Sequence, residues 1–185
     1  MKWYDYPSST KSMFENCTNI IEIDLTEFNL VSIINMDNMF CNCKSLTNIK
    51  FGNFDSSCLN STFGLLNNCS HLASIYLSMF NTENVVDMRL MFFGCFVLKS
   101  LNLSNFKTEK VKNFYKMFMY CKALENLDIS NFNTTSANNI SYMFAYCEKL
   151  SNIDVSSFNT SNVKDISHLF RGCTSLTSVD IWLFG

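Results

Sequence analysis

Seven cysteines recur along this chain at a constant step of 26 residues: Cys17, Cys43, Cys69, Cys95, Cys121, Cys147 and Cys173. Seven phenylalanines, from Phe28 to Phe184, keep the same step, and no insertion or deletion interrupts it. A fixed period of this length is typical of a solenoid, in which one supersecondary unit is stacked on copies of itself. The period predicts one repeat domain over residues 1–185. Neither end has the pattern of a complete cap, which favours a piece of a longer protein.

Each unit contains an apolar stripe. In the fifth copy the stripe is Phe114, Met117, Phe118 and Cys121, a spacing that places four side chains on one face of a helix. The residue before the stripe is a good helix N-cap in six copies, namely Asn35, Ser61, Asp87, Asn113, Asn139 and Asp165. Stripe and cap together predict a short helix in every unit.

A second apolar pattern follows the cysteine of each unit. Leu127 and Ile129 are separated by one polar residue, which is the spacing of a short strand, and the polar stretch 131–136 is turn-prone. The predicted fold is therefore an α/β, leucine-rich-repeat-like solenoid of about seven 26-residue repeats, each with a short parallel strand, a turn and a short helix. The alternative is an all-β solenoid, in which the helical segments are extended or form 3₁₀ turns.

The residues of one unit resemble a known family. The stretch is Leu124-Glu-Asn-Leu127-Asp-Ile129-Ser130-Asn-Phe132, preceded by Met117-Phe118-x-x-Cys121 and followed by Asn133-Thr134. It resembles the BspA-like leucine-rich-repeat surface proteins, and more closely their 26-residue bacterial variant, often found in lipoproteins of mycoplasmas. The resemblance covers about Ser9 to Phe184. It implies a cell-surface or secreted location and a role in adhesion and host-protein binding. No signal peptide, lipobox or wall anchor is visible in this chain, so a cytoplasmic location remains the alternative.

Charge and hydropathy exclude several classes of partner. The 14 lysines and arginines are scattered and the net charge is −2, which argues against nucleic-acid binding. No apolar run approaches the roughly 18 residues of a membrane span. The sequence therefore predicts neither a nucleic-acid partner nor a membrane span.

Catalytic and metal-binding patterns are not visible in the sequence. A step of 26 residues arranges the seven cysteines in a line, whereas a structural zinc site needs a tetrahedral cluster. Free cysteine is usually a small buried residue, so the ladder is interpreted as structural. His71 and His168 have no recurring partner, and no nucleophile elbow or phosphate-binding loop is present. We expect a non-enzymatic chain without a metal or cofactor.

The outward-facing positions of the predicted strands are the candidate site. Residues 126, 128 and 130 alternate with the apolar positions, so they face solvent. Strands about 4.8 Å apart would stack Asp128, Asp154 and Asp180 at a repulsion of about 1 kcal/mol per pair, which a basic partner or a cation would relieve. The candidate ligand-binding residues are Tyr76, Asn102, Asp128, Asp154, Asp180 and Trp182.

The sequence is compatible with two functions. The first is a surface scaffold that recognises a protein or glycan with its sheet face. The second is a structural spacer without a specific ligand, which could self-associate end to end through its apolar ends.

Overall fold

The coil is built from parallel strands stacked one repeat on the next. The computed structural model describes residues 7–28, 30–52 and 54–181. Its strands are β1 (Glu22–Leu25), β2 (Leu30–Val31), β3 (Asn48–Phe51), β4 (Phe54–Asp55), β5 (Ser100–Leu101) and β6 (Asn126–Leu127). The pairs β1–β3, β2–β4 and β5–β6 are all parallel. The predicted repeat solenoid is therefore confirmed.

A second line of parallel contacts runs along the whole described chain. Single β-bridges join each residue of this line to its counterpart in the next coil. The residues are Ser9, Asn35, Ser61, Asp87, Asn113, Asn139 and Asp165. Six of them were predicted to cap helices, and that assignment is wrong. Each of them begins a run of tight turns, and its side-chain oxygen accepts a hydrogen bond from the backbone N–H two residues later. Asn113 Oδ1, for example, accepts from the Tyr115 N–H at 2.9 Å.

The segment after this line was predicted to be a helix, and the prediction is wrong. Within residues 7–28, 30–52 and 54–181 the structure contains no helix. The segment is a ribbon of tight turns, which we call the turn ribbon, and its amides donate alternately in two directions. In the second coil Asn38, Phe40 and Asn42 donate to carbonyls of the next coil, while Met39, Cys41 and Cys43 donate to the carbonyl three residues earlier. An α-helix would instead keep all of these bonds within one segment.

Left-handed residues explain why the turn ribbon replaces the helix. Asn38 and Asn42 have φ angles of 54° and 59°. A left-handed residue at every fourth position interrupts the right-handed twist that a helix requires, and asparagine and glycine tolerate this conformation best. The apolar stripe still packs on one face, because the turns bring the same four positions inward.

The core lies between the turn ribbon and the strands. Phe118 is fully buried and stacks on Phe92 and Phe144 of the neighbouring coils, with ring centroids 5.5 and 5.7 Å away. On the strand side the predicted alternation is confirmed, since Leu127 and Ile129 are buried while Asn126 and Asp128 are exposed. Each coil therefore contributes to one continuous apolar core.

The strands do not form the uninterrupted sheet that the sequence predicts. Residues 74–77 occupy the third strand position, yet in the described chain they join neither β3 before them nor β5 after them in a sheet. Residues 152–155 are likewise outside the assigned strands. The strand side is thus made of short paired segments separated by unpaired ones.

Buried threonines tie successive coils together. The hydroxyl of Thr108 donates to the Asn133 carbonyl at 3.0 Å and accepts from the Asn133 N–H at 2.7 Å. Thr134 makes the same pair of bonds with Asn159 one coil later. Because these hydroxyls are fully buried and satisfied in both directions, they fix the register of each coil on the next.

Candidate ligand-binding surface

The outward side chains of the strand positions form one exposed surface, which we call the strand face. Its middle column contains Asp24, Lys50, Tyr76, Asn102, Asp128, Asp154 and Asp180. All seven side chains are exposed, and Tyr76 is 82% exposed. Trp182, the remaining predicted site residue, lies outside the described residues. The strand face is therefore open to solvent along its length.

Two of the predicted site residues meet at the interruption of the sheet. Tyr76 and Asn102 line a shallow cavity of about 200 Å³, together with the neighbouring residues Ser74, Ile75, Leu77, Ser78 and Ser100. Small-molecule sites usually enclose about 300–1,000 Å³. The cavity is smaller than that range and suits a single inserted side chain better than a cofactor.

The aspartates downstream of this cavity are held by their own turns. Asp128 Oδ1 accepts from the Ser130 N–H at 3.0 Å and from the Ser130 hydroxyl at 2.7 Å, and Asp154 Oδ1 accepts from the Ser156 N–H at 2.8 Å. The hydrogen bonds from Ser130 and Ser156 lower the pKa of the two carboxyl groups. Repulsion from Asp154 is the smallest influence on Asp128. The carboxylates are therefore positioned by local hydrogen bonds, and their mutual repulsion is minor.

Charge is distributed unevenly along the strand face. In the first two coils Lys50 lies 2.8 Å from Glu22 and 3.8 Å from Asp24, so positive and negative charges compensate. Further along, neither Asp128 nor Asp154 forms an ion pair with any described residue. The C-terminal half of the strand face is consequently acidic.

The cysteine ladder lies inside the coil. Cys43, Cys69, Cys95, Cys121 and Cys147 are fully buried, whereas Cys17 and Cys173 in the terminal coils are half-buried. Each thiol from Cys43 onward donates to a backbone carbonyl of the preceding coil, as Cys121 Sγ does to the Phe92 oxygen at 3.1 Å. Burial raises the pKa of Cys95 to about 12. These are properties of neutral thiols inside a core and differ from those of a nucleophile or metal ligand.

The other candidate groups occupy separate places. Cys41 is buried and Cys58 is exposed. His71 Nδ1 lies 2.6 Å from the Lys44 carbonyl oxygen, and His168 packs on the ring of Tyr142 at 4.5 Å. Within the described ranges no three histidine, cysteine or acidic side chains converge as a metal site. The structure therefore places Tyr76 and Asn102 at one cavity, and leaves Asp128, Asp154 and Asp180 exposed further along the chain.

Several solved bacterial structures resemble the coil. A leucine-rich cell surface protein from Faecalibacterium prausnitzii A2-165 has 19% identity and a TM-score of 0.49, with 86% of this chain and 42% of that chain covered. The leucine-rich repeat protein of T. pallidum has 19% identity and a TM-score of 0.43, with 77% and 70% covered. A leucine-rich repeat protein from Bacteroides ovatus has 17% identity and a TM-score of 0.32, with 91% and 57% covered. The chain thus spans less than half the length of the first of these proteins.

The sequence comparison identifies the family. No curated protein matches the sequence significantly. In the described part of the chain no helix has the length and apolar character needed to cross a membrane. The family described as "Mycoplasma protein of unknown function, DUF285" matches residues 8–101 and again residues 98–182. The predicted resemblance to a mycoplasma-type repeat is thereby confirmed, and this repeat scaffold belongs to the DUF285 family.

Proposed function

We propose that this chain is a non-enzymatic binding scaffold at a bacterial cell surface, and that its strand face recognises a basic segment of a partner protein. The observation that carries the proposal is the pairing of an exposed tyrosine beside a small cavity with an acidic column on the same face. The surface location comes from the family resemblance.

Tyr76 would be the anchor of the interface. Tyr76 is 82% exposed, whereas Phe80, Phe106 and Phe132 in the same coil and the two that follow are buried. Tyrosine is enriched at the centres of protein interfaces, where it combines a rigid ring with a hydrogen-bonding hydroxyl. The cavity beside it, at about 200 Å³, would take one side chain of the partner. A protein ligand therefore fits the site better than a small molecule.

The aspartates would set the charge of the ligand. Asp128 and Asp154 have no cationic partner among the described residues, and their hydrogen bonds to Ser130 and Ser156 fix the carboxylates in place. A lysine- or arginine-rich segment would complement them. Because the site is exposed, this attraction should weaken as salt concentration rises.

The proposal can be tested with a fluorescein-labelled peptide in which lysine alternates with serine, its binding followed by anisotropy. The triple variant Asp128→Asn, Asp154→Asn, Asp180→Asn should lose binding, and Tyr76→Ala should weaken it. The matched control changes three glutamates outside this column, Glu27→Gln, Glu83→Gln and Glu109→Gln. Equal loss in variant and control would show non-specific attraction, and binding of a neutral oligosaccharide in place of the peptide would favour a glycan ligand.

A second candidate function is a structural array joined end to end. Large apolar side chains are exposed in the terminal coils: Met13 is 44%, Ile21 65%, Ile166 43% and Ile181 54% exposed. Repeat coils can stack through exposed apolar surfaces of this kind. Sedimentation velocity over a range of protein concentrations separates the two functions, since an array would form concentration-dependent oligomers that Ile166→Ser dissociates.

A further inference from the structure

The turn ribbon carries a set of aromatic and basic side chains that the strand-face proposal does not use. We call it the tyrosine strip, and it consists of Tyr115, Lys116, Tyr120, Tyr142, Tyr146 and Arg171. These residues occupy three consecutive coils in the C-terminal half. All are half-buried except Arg171, which is exposed. We propose that the tyrosine strip is a second binding surface, which takes an acidic peptide segment of a partner protein.

The rings of the strip are ordered by stacking across coils. Tyr120 stacks on Tyr146 with ring centroids 4.8 Å apart and planes 13° apart. Tyr115 meets Tyr142 edge to face at 6.2 Å. The side chains of the strip are therefore ordered before binding, so little conformational entropy would be lost when a ligand binds.

The cations of the strip are placed over these rings. The Lys116 ammonium lies 4.8 Å from the ring centre of Tyr115 and 5.4 Å from that of Tyr142, and the Arg171 guanidinium lies 5.7 Å from that of Tyr146. Neither cation has a carboxylate within ion-pair distance among the described residues. The nearby lysine Lys122, in contrast, is paired with Glu148 at 2.8 Å. Lys116 and Arg171 thus retain charge that an anionic ligand can neutralise.

The stacking also decides which part of each ring a ligand would meet. The ring of Tyr146 is stacked on Tyr120 and has the Arg171 guanidinium 5.7 Å from its centre, and the ring of Tyr142 lies 4.5 Å from that of His168. What remains for a ligand is the ring edge and the hydroxyl. Aromatic edges carry partial positive charge, and phenolic hydroxyls donate hydrogen bonds. Edges, hydroxyls and cations all favour carboxylates, whereas a sugar ring that stacks on an open aromatic face finds little room.

Backbone strain supplies an independent reason to regard the strip as functional. Lys116, Tyr120, Tyr142 and Tyr146 have φ angles of 58°, 65°, 57° and 61°. Bulky residues are rare in this left-handed region, and strained residues of this kind cluster at functional sites. The same two positions in the second coil are filled by Asn38 and Asn42, which tolerate it. The second position is asparagine or glycine in the five other coils, whereas the first also holds Leu90 at a φ of 57°. Tyr120 and Tyr146 are therefore the residues that depart from what the backbone favours, and they are explained by what they present to solvent.

The acidic ligand is chosen over other partners by the composition of the strip. Tyrosine and arginine dominate hot spots between proteins, and basic clusters are a recurrent means of recognising acidic motifs. This ligand is opposite in charge to the one proposed for the strand face, so the two proposals can fail separately.

The experiment uses a fluorescein-labelled peptide in which glutamate alternates with serine, again followed by anisotropy. Replacing the four strained residues by the asparagine of the second coil, as Lys116→Asn, Tyr120→Asn, Tyr142→Asn and Tyr146→Asn, should weaken binding roughly tenfold or more. Thermal unfolding should show that the fold persists. The matched control is Lys44→Asn with Lys164→Asn, two exposed lysines outside the tyrosine strip and the strand face, which should retain binding.

Two further measurements keep the test decisive. If the fourfold variant does not fold, the charge-only variant Lys116→Gln with Arg171→Gln should still reduce the affinity for the acidic peptide, because it removes the two cations. Raising the salt concentration should reduce the affinity of the wild-type protein for the same reason. A photo-crosslinking form of the peptide on wild-type protein should label residues 115–120 and 142–146. The proposal is overturned if the variants bind as the wild type does, if labelling falls on the strand face, or if a sulfated oligosaccharide binds where the peptide does not.

Discussion

The turn ribbon and the strand side of the coil differ in regularity. In the turn ribbon the same alternation of bonds recurs in the first six coils of the described chain: amides of the fifth coil, such as that of Phe118, reach the next coil just as amides of the second coil do. On the strand side the pairing stops at residues 74–77 and resumes at β5. The comparison shows that the turn ribbon is the frame of the coil, which leaves the strand side free to vary.

The difference follows from where buried polar groups must be satisfied. The line of single β-bridges from Ser9 to Asp165 and the turn ribbon both lie beside fully buried phenylalanines and cysteines. An unpaired backbone amide at these places would therefore cost folding free energy. Strand-side residues such as Tyr76 and Asn102 are exposed, and water can satisfy the backbone near them. A break in pairing is therefore tolerated on one side and excluded on the other.

The largest expected effect is on the ring stack beneath the turn ribbon. Phe118→Ala removes a fully buried ring that stacks on two neighbours, and such truncations cost about 3–5 kcal/mol of unfolding free energy. The melting temperature should fall by roughly 10 °C, as expected for a chain of this size. Tyr76→Ala on the strand side should leave it nearly unchanged. Similar losses from the two variants would mean that the strand side contributes as much to the frame as the turn ribbon does.

The next effect concerns the threonine bonds between coils. Thr108→Val keeps the shape of the side chain but leaves both the N–H and the carbonyl of Asn133 without the hydroxyl. Leaving buried polar groups unsatisfied costs about 1–3 kcal/mol. The exposed Thr135→Val is the control and should change little. Chemical denaturation of both variants would measure the difference, and a stable Thr108→Val would show that water replaces the hydroxyl.

The sequence predicted side-chain environment better than backbone conformation. The stripe at Phe114, Met117, Phe118 and Cys121 identified the buried face correctly, because burial depends on which side chains point inward. The same spacing predicted a helix, and there it failed. Spacing does not say whether an amide bonds within its segment or to the next coil. The recurrence of asparagine and glycine at the positions of Asn42, Asn68, Gly94 and Gly172 was the available signal for left-handed turns.

The candidate site was predictable only in part. Alternation placed Asp128 and Asp154 outward correctly, but the interruption beside Tyr76 has no sequence pattern, since residues 74–78 alternate like every other copy. The tyrosine strip was also missed. Under a helix interpretation Tyr120 and Tyr146 are ordinary surface residues, and only the turn ribbon brings their rings into a stack.

A more gradual effect is expected at alkaline pH from the thiols that the turn ribbon buries. Burial raises the pKa of Cys95 from 9.0 to about 12, so the folded state holds this proton where the unfolded state loses it. The stabilisation is complete below pH 9 and is lost as pH rises toward 12, by about 1.4 kcal/mol per pH unit for one such thiol. Denaturation between these limits should give a shallower decline for Cys95→Ala than for the wild type. Identical slopes would imply that the thiol ionises equally in both states.

The smallest expected effect tests whether the strained residues of the turn ribbon serve stability at all. Lys116 is half-buried, has a φ of 58° and lies over two rings. Lys116→Asn relieves a left-handed strain of about 1–2 kcal/mol only in part and loses a cation–π contact of about 0.5–1 kcal/mol. The two changes nearly cancel, so the unfolding free energy should move by less than about 0.5 kcal/mol. Lys116→Val, which places a β-branched residue in the same conformation, should be clearly less stable than Lys116→Asn. Equal stability of the asparagine and valine variants would show that the backbone relaxes at this position. Backbone strain would then not support a binding role for the tyrosines and the lysine of the turn ribbon.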